Sequence, residues 1–200
     1  MPAAADQADG GPVRGADGLL RCPWPGRDPE YLAYHDEEWG RPVRDEVPAF
    51  EKLCLEGFQA GLSWLTILRK REAFRRAFAG FDPERVAAFT DDDVDRLLAD
   101  ATIVRNRAKV DAAIGNARAL LALQAAGGSL ARLVWSHAPS SPAPPRTMAD
   151  LPASTPASAE LAQRLRSLGF RFVGPTTCYA LQQALGVVDD HLVGCRARGG

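Results

Sequence analysis

The sequence lacks a long hydrophobic run, an excess of charge of one sign and any internal repeat. No apolar stretch in its 200 residues approaches the roughly 20 residues that a membrane-spanning helix needs, which excludes a membrane span. The N-terminal residues MPAAADQADGGPVRGADG lack the apolar segment of a secretory signal, so we expect a cytoplasmic protein. Because 24 lysines and arginines face 25 aspartates and glutamates, overall charge does not indicate a nucleic-acid partner.

What remains is the composition of one globular domain. Hydrophobic residues make up 46% and charged residues 24% of the chain, which excludes a disordered or collagen-like protein. Residues 1–20 show no periodicity and predict a disordered tail, and residues 21–200 are predicted to form a single domain. Basic residues cluster in RKREAFRR, between Arg69 and Arg76, a pattern that is also typical of a solvated helix face.

Helix signals recur along the predicted domain. Asp28-Pro29 supplies an N-cap and a proline at the first helical position, and Thr90 with Asp93 forms a capping box. A long helix is expected after the connection 101–106, and the proline-rich stretch 137–158 is expected to be a loop. Further helices are predicted to start at Asp45, Ser63, Asp82, Ser129, Ser158 and Gly174. Since no segment alternates with period two for long enough to be a strand, we predict an all-α fold of about eight short, irregularly packed helices.

Cysteine and histidine are scarce and lie mainly near the two ends of the chain. Cys54 and Cys178 fall in apolar helical patterns and are interpreted as small buried side chains. The remaining two cysteines form a C-x12-H and an H-x3-C spacing, namely Cys22 with His35 and His191 with Cys195. Two thiolates and two imidazoles suit a closed tetrahedral zinc site, although unpaired cysteines and buried core histidines fit the same spacing.

One helix face and one carboxylate indicate a binding pocket. Tyr31 and Tyr34 share a face of the first predicted helix, which ends at Trp39. Glu56 interrupts an apolar face of the second helix, where an unpaired carboxylate is costly unless it is paired or lines a pocket. Together with Trp64 these aromatics could stack a flat heterocycle, although aromatics at helical spacing are also typical of a hydrophobic core.

Several long segments carry a resemblance that spacing alone does not give. They run in order from about Arg21 to Cys195 and include RCPW, EYLAYHDEEWG, FEKLCLEGFQAGLSWLTILRKRE, IVRNRAKVDAAIGNA and FRFVGPTTCYALQQALGVVDDHLVGC. The chain thereby resembles the 3-methyladenine DNA glycosylase I family. This resemblance implies a helix-hairpin-helix glycosylase fold, a structural zinc ion, and removal of N3-methyladenine from alkylated double-stranded DNA by a monofunctional enzyme.

The resemblance also implies roles for individual residues. Glu56 matches the carboxylate of the base pocket, and the aromatics that stack on the base or line its pocket match Tyr34, Trp64, Tyr31 and Trp39. Gly61-Leu62 matches the loop that enters the gap left by the extruded nucleotide. The zinc ligands, one ion per chain, match Cys22, His35, His191 and Cys195. The hairpin corresponds to the connection from Ile103 to Lys109, which lacks the paired glycines of the wider superfamily and offers Arg105, Arg107 and Lys109 to phosphates.

The glycosidic bond of a cationic, flipped base is already weak, so we expect the pocket to recognise the base and to supply little acid catalysis. Water is expected to attack the sugar and to release free 3-methyladenine from a monomeric enzyme. A lyase step would need an amine nucleophile, and the only lysines, Lys52, Lys70 and Lys109, have no pocket context in the sequence. Two rival readings are a DNA-damage binding module without excision and a zinc hydrolase. The pocket carboxylate argues against the first, and four protein ligands without an open position argue against the second.

Overall fold

The protein is built from short helices and one small hairpin. The computed structural model describes residues 10–140 and 143–199, and within these ranges it contains nine α-helices and a two-stranded antiparallel sheet. The strands are β1 (Val13–Arg14) and β2 (Leu20–Arg21). The helices are α1 (Pro29–Glu37), α2 (Glu46–Gln59), α3 (Trp64–Ala77), α4 (Pro83–Ala87), α5 (Asp91–Ala99), α6 (Arg107–Ala125), α7 (Leu130–Ser136), α8 (Pro156–Ser167) and α9 (Pro175–Ala184). Short 3-10 turns occupy Ala79–Phe81 and Met148–Asp150.

The all-α prediction is confirmed, and local caps explain most helix starts. The Asp28 carboxylate accepts from the Tyr31 N–H at 3.0 Å, and the Asp93 carboxylate accepts from the Thr90 N–H at 3.0 Å. The predicted start of α8 at Ser158 is wrong by two residues, because the N-cap is Thr155 and the Ser158 hydroxyl completes a capping box with it. No helix in the described part of the chain is long and apolar enough to cross a bilayer.

The predicted tail contains structure that the sequence pattern did not indicate. Val13 pairs with Arg21 in the antiparallel hairpin, and the Leu20 carbonyl accepts from the Arg196 N–H at 2.8 Å. The tail boundary at residue 20 is therefore wrong for residues 10–20, while residues 1–9 lie outside the described residues. The single domain over residues 21–200 stays a prediction.

Helix α2 lies at the centre of the hydrophobic core. It packs against α3, α6, α7 and α9, and its Phe58 ring lies 4.5 Å from the ring of Phe74 on α3, centroid to centroid. At its start, the Glu46 carboxylate accepts from the backbone N–H groups of Leu130 and Ala131 at 2.8 and 3.1 Å, which ties α2 to the N-terminus of α7. A helix held on so many sides provides a rigid support for any side chain that it carries into a cavity.

Candidate active site

One cavity collects the predicted pocket residues. It has a volume of about 200 Å³ and lies between α1, the C-terminal half of α2 and the start of α3. Its walls include all five side chains that the sequence assigned to a base pocket, namely Tyr31, Tyr34, Trp39, Glu56 and Trp64. A volume of this size and an aromatic lining suit a single planar heterocycle.

The aromatic walls hold one another in place. The rings of Tyr34 and Trp64 lie 5.4 Å apart, centroid to centroid, and are tilted by 44°. Trp24 packs edge-on against Tyr31 at 4.9 Å and against Trp39 at 5.0 Å, centroid to centroid. Because aromatic pairs at these distances stabilise one another, the cavity is formed before any ligand arrives.

Glu56 is the one acidic group in the wall of this cavity. Its side chain is buried, with 6% of the residue exposed, and no hydrogen-bonding partner for its carboxylate occurs among residues 10–140 and 143–199. Burial raises the pKa of this carboxyl to about 8, and the charge of Lys52 opposes the shift only in part. At neutral pH this carboxyl therefore holds its proton, and a cationic ligand that donates a hydrogen bond would favour the carboxylate form, as expected of a ligand-binding group.

The neighbouring acid Glu38 is engaged differently. Its carboxylate accepts from the Lys52 amine and from the Arg71 guanidinium, each at 2.6 Å. This network occupies Lys52 and fixes the end of α1 against α2 and α3. Glu38 is therefore bound within the protein, and Glu56 is the carboxylate that faces the cavity.

Further cavity-lining residues were not predicted from the sequence as pocket residues. They are Trp24, Gln59, Met148, Leu151, Ala180 and Gln183. Met148 and Leu151 come from the segment expected to be only a loop, where a 3-10 turn stabilised by a Thr147–Asp150 capping box brings them to the cavity. The T-x-x-D spacing of that box was the available signal.

A second cluster joins the two ends of the described chain. One ligand-type atom each from Cys22, His35 and Cys195 lies within 4.8 Å of the others, and all three residues are buried. The Cys195 sulfur lies 3.5 Å from His35 Nε2. The fourth predicted ligand, His191, is next to this group but not within it, and its ring lies 5.0 Å from that of His35, centroid to centroid.

The donor set of this cluster fits a thiophilic metal ion. His35 Nδ1 lies 2.8 Å from Asp36 Oδ1, which leaves His35 Nε2 facing the Cys195 sulfur. His191 Nδ1 lies 2.8 Å from Asp189 Oδ1, and its Nε2 lies 3.3 Å from the His35 carbonyl oxygen. The hydrogen bond from Cys22 lowers the pKa of the Cys195 thiol, with a further contribution from His35, which favours the thiolate. A carboxylate behind each imidazole is the usual second layer of a metal site.

Four of the five predicted DNA-contacting residues are exposed: two follow the C-terminal end of α2, one lies in the connection before α6 and one begins α6. Leu62 is 41% exposed and follows Gly61, whose φ of +81° suits glycine. Arg105 is exposed in the connection between α5 and α6 and makes no ion pair within the described ranges. Arg107 is also exposed and lies 3.7 Å from Asp95 and 3.9 Å from Asp111, distances at which surface ion pairs are weak.

Lys109 is buried, unlike the two arginines, and its contact with DNA phosphate stays a prediction. Only 9% of it is exposed, and its amine donates to the backbone carbonyls of Phe58 at 2.9 Å and Ala60 at 2.5 Å. The two carbonyls take up two of the three N–H donors of this amine, in a largely buried position. The sequence places Lys109 beside two exposed arginines, and only the packing of α6 against α2 reveals its burial.

Comparisons with known proteins agree with this geometry. The model of the methyladenine glycosylase family matches residues 24–198. DNA-3-methyladenine glycosylase 1 of Escherichia coli (strain K12) is 50% identical over 179 residues, which cover 88% of this chain and 96% of that protein. A crystal structure of 3-methyladenine DNA glycosylase I, also 50% identical, superposes with a TM-score of 0.85 and covers 88% of this chain and 97% of the other. A variant of 3-methyladenine DNA glycosylase I, solved in complex with 3-methyladenine, is 37% identical, with a TM-score of 0.85 and coverage of 90% and 98%.

Proposed function

The chain belongs to the methyladenine glycosylase family, and from this premise we propose that it flips N3-methyladenine out of alkylated double-stranded DNA and hydrolyses its glycosidic bond. The observation that carries the proposal is the Glu56 carboxyl, buried in an aromatic cavity of about 200 Å³ without a protein hydrogen-bond donor in the described chain. Such a group awaits a ligand that can donate to it.

The charge of the lesion suits this cavity better than that of a normal base. N3-methyladenine in DNA is cationic, so it can compensate a buried carboxylate and gains cation–π contacts from Tyr34 and Trp64. Neutral adenine offers no such charge, so Glu56 would keep its proton and could not form a charge-assisted hydrogen bond with it. Glu56 is therefore assigned to the exocyclic amine of the base, where selection for the cationic lesion takes place.

The chemical step needs little acid catalysis, because the cationic base leaves as a neutral molecule. Water attacks an oxocarbenium-like sugar, the glycosidic bond breaks, and its electron pair stays with 3-methyladenine. Each lysine is occupied away from the cavity: Lys52 at Glu38, Lys109 at two carbonyls of α2, and Lys70 at the Thr102 carbonyl at 2.9 Å. Since none lines the cavity, no lysine is placed for Schiff-base chemistry, which supports a monofunctional enzyme.

We assign the DNA-facing surface to the turn at Gly61-Leu62 and to the connection between α5 and α6. The exposed Leu62 side chain suits the gap that an extruded nucleotide leaves in the stack, as apolar wedges do in other DNA-bending proteins. Arg105 and Arg107 are exposed on the neighbouring helix-hairpin-helix connection and suit phosphate contacts. A binding module without excision would not need the cavity carboxylate.

We also propose one structural zinc ion per chain, held by Cys22, His35, His191 and Cys195. The grouping of the first, second and fourth of these ligands supports it, and so do the carboxylates behind both imidazoles. Zinc with two sulfur and two nitrogen ligands is tetrahedral and has no open position for water, so its contribution is to join the N-terminal segment to residues 191–195. This closed ligand set argues against a zinc hydrolase.

Release of free base is the direct test of the proposed activity. Methylated duplex DNA is incubated with the protein, and chromatography measures 3-methyladenine in the soluble fraction. We expect release by the parent and by Glu51→Gln, a control on the same helix whose side chain pairs with Arg75 outside the cavity. Trp64→Ala should lose most of the activity, because it loses the stacking surface. Absence of 3-methyladenine release by the folded parent would refute the proposal. The cytoplasmic location and the monomeric state stay predictions.

A further inference from the structure

Lys109 connects two segments that the proposed function places against DNA. It lies in the first turn of α6, where the Asn106 side chain caps the helix by accepting from the Lys109 N–H at 3.2 Å. The Lys109 side chain then crosses to the C-terminal end of α2, where its amine donates to the carbonyls of Phe58 and Ala60 at 2.9 and 2.5 Å. One residue thereby joins the start of α6 to the turn that presents Leu62.

The contacts of Lys109 complete the backbone hydrogen bonding of that turn. The last carbonyls of an α-helix have no partner within the helix and need donors from elsewhere. The carbonyl of Gln59 accepts from the Leu62 N–H at 2.6 Å, and Lys109 supplies the donors for the carbonyls on either side of it. Three successive carbonyls ahead of Gly61 are therefore bound, and the conformation that exposes Leu62 is fixed.

The burial of the Lys109 amine has a cost that its hydrogen bonds must offset. Burial lowers the pKa of the Lys109 amine, since the charged form loses water. Charge-assisted hydrogen bonds offset this cost and also impose a direction that packing alone does not. Arg118, farther along α6, makes the same kind of contact with the carbonyls of Ala87 and Phe89 at 2.9 and 3.2 Å, but on a different part of the surface. It provides a comparison at an exposed position of the same helix.

We propose that Lys109 is a positioning residue for base extrusion, which acts by holding the Leu62 turn rigidly against the first turn of α6. The wedge and the phosphate-binding connection then meet the duplex as one unit, so binding of the backbone delivers Leu62 into the stack. This inference rests on the proposed glycosylase activity and assigns Lys109 neither to phosphate nor to the reacting base.

A double-mutant cycle between Lys109 and Leu62 tests the inference. Lys109→Met, Leu62→Ala and the double variant are compared with the parent by single-turnover excision of 3-methyladenine from methylated duplex. We expect each single change to slow excision by about ten-fold or more. The double variant should be no more than about three-fold slower than the slower single variant, because both changes remove the same function. Affinity for free 3-methyladenine should stay within about two-fold of the parent in all three, since neither Lys109 nor Leu62 lines the cavity.

Two further variants separate positioning from general destabilisation. Arg118→Met removes a comparable pair of carbonyl contacts and should leave the excision rate unchanged. Lys109→Gln keeps a neutral donor and replaces Lys109→Met in the cycle if the methionine variant does not fold. The inference is overturned if the single effects multiply, if Arg118→Met slows excision equally, or if free-base affinity falls together with excision. If Leu62→Ala excises as fast as the parent, the Lys109 inference fails while the glycosylase activity stands.

Discussion

The cavity carboxylate makes a prediction that links function to stability. Replacement of Glu56 by glutamine keeps the size of the side chain and removes its ionisation. In the parent, burial raises the pKa of this carboxyl from 4.5 to about 8. Between these values the folded protein holds a proton that the unfolded chain has released, so the free energy of unfolding of the parent falls as the pH rises through this range. Because glutamine does not titrate, the free energy of unfolding of the variant does not show this fall.

The expected difference follows from the size of the shift. A change from 4.5 to about 8, at about 1.4 kcal/mol per pKa unit, corresponds to a loss on the order of 5 kcal/mol in the parent. The other titrating groups are common to both proteins and cancel in the comparison. For a domain of this size one kcal/mol moves Tm by about 2–4 °C, so the Tm of Glu56→Gln relative to the parent should rise by about 10 °C between pH 4.5 and pH 8.5.

Urea unfolding at a series of pH values measures this difference, with base binding measured on the same samples. We expect the free energy of unfolding of Glu56→Gln to increase relative to that of the parent as the pH rises. The variant should also bind free 3-methyladenine more weakly, by about 1–3 kcal/mol, because a charge-assisted hydrogen bond is lost. Glu51→Gln is the control, since it changes a glutamate of the same helix whose carboxylate pairs with Arg75 at 2.8 Å outside the cavity. Parallel pH curves for Glu56→Gln and parent, together with unchanged base affinity, would show that Glu56 is a structural carboxylate.

Three further predictions concern the metal, the DNA surface and the reaction type. Elemental analysis should find one zinc ion per parent chain. Cys195→Ser should lose the zinc and have a lower Tm, while Cys178→Ser, also at a buried thiol, should keep the metal. A native protein without zinc would contradict this. Arg105→Glu should weaken binding to all duplexes about equally and reduce the slope of log K against log[salt] by about 1; if the slope is unchanged, the DNA surface lies elsewhere, with the cluster around Arg76 as the next candidate. Borohydride treatment during turnover should trap no covalent protein–DNA complex, and a trapped complex would reveal a lyase step.

Local signals in the sequence predicted most of the helices, because caps act over three or four residues. Asp28 and the Thr90–Asp93 pair determine their helix starts through contacts within one turn. The β1–β2 hairpin was not predicted, because two-residue strands are too short to show an alternating pattern. Its stability comes partly from a contact with Arg196, far along the chain.

Residue type and the family motifs predicted the cavity residues that lie in the motif segments. Glu56 and the aromatics could be assigned because a carboxylate on an apolar helix face is unusual and because the motif runs are long. Met148 was not assigned, since its contribution depends on where a long connection returns to the cavity. The burial of Lys109 was not predicted for a related reason: the charge of a residue follows from its own segment, whereas its burial depends on which helix packs against it.

The join between the chain's early and late segments has a consequence for biosynthesis. Trp39, a wall of the cavity, packs edge-on against the His191 ring at 4.7 Å, so the late segment supports the early one at the cavity itself. While the ribosome is still adding residues before position 195, α1 has emerged but its partner has not, and the cavity lacks part of its support. We therefore expect nascent and prematurely terminated chains to be unable to hold a base. The protein can then bind and excise a base only after residues 191–195 have left the exit tunnel.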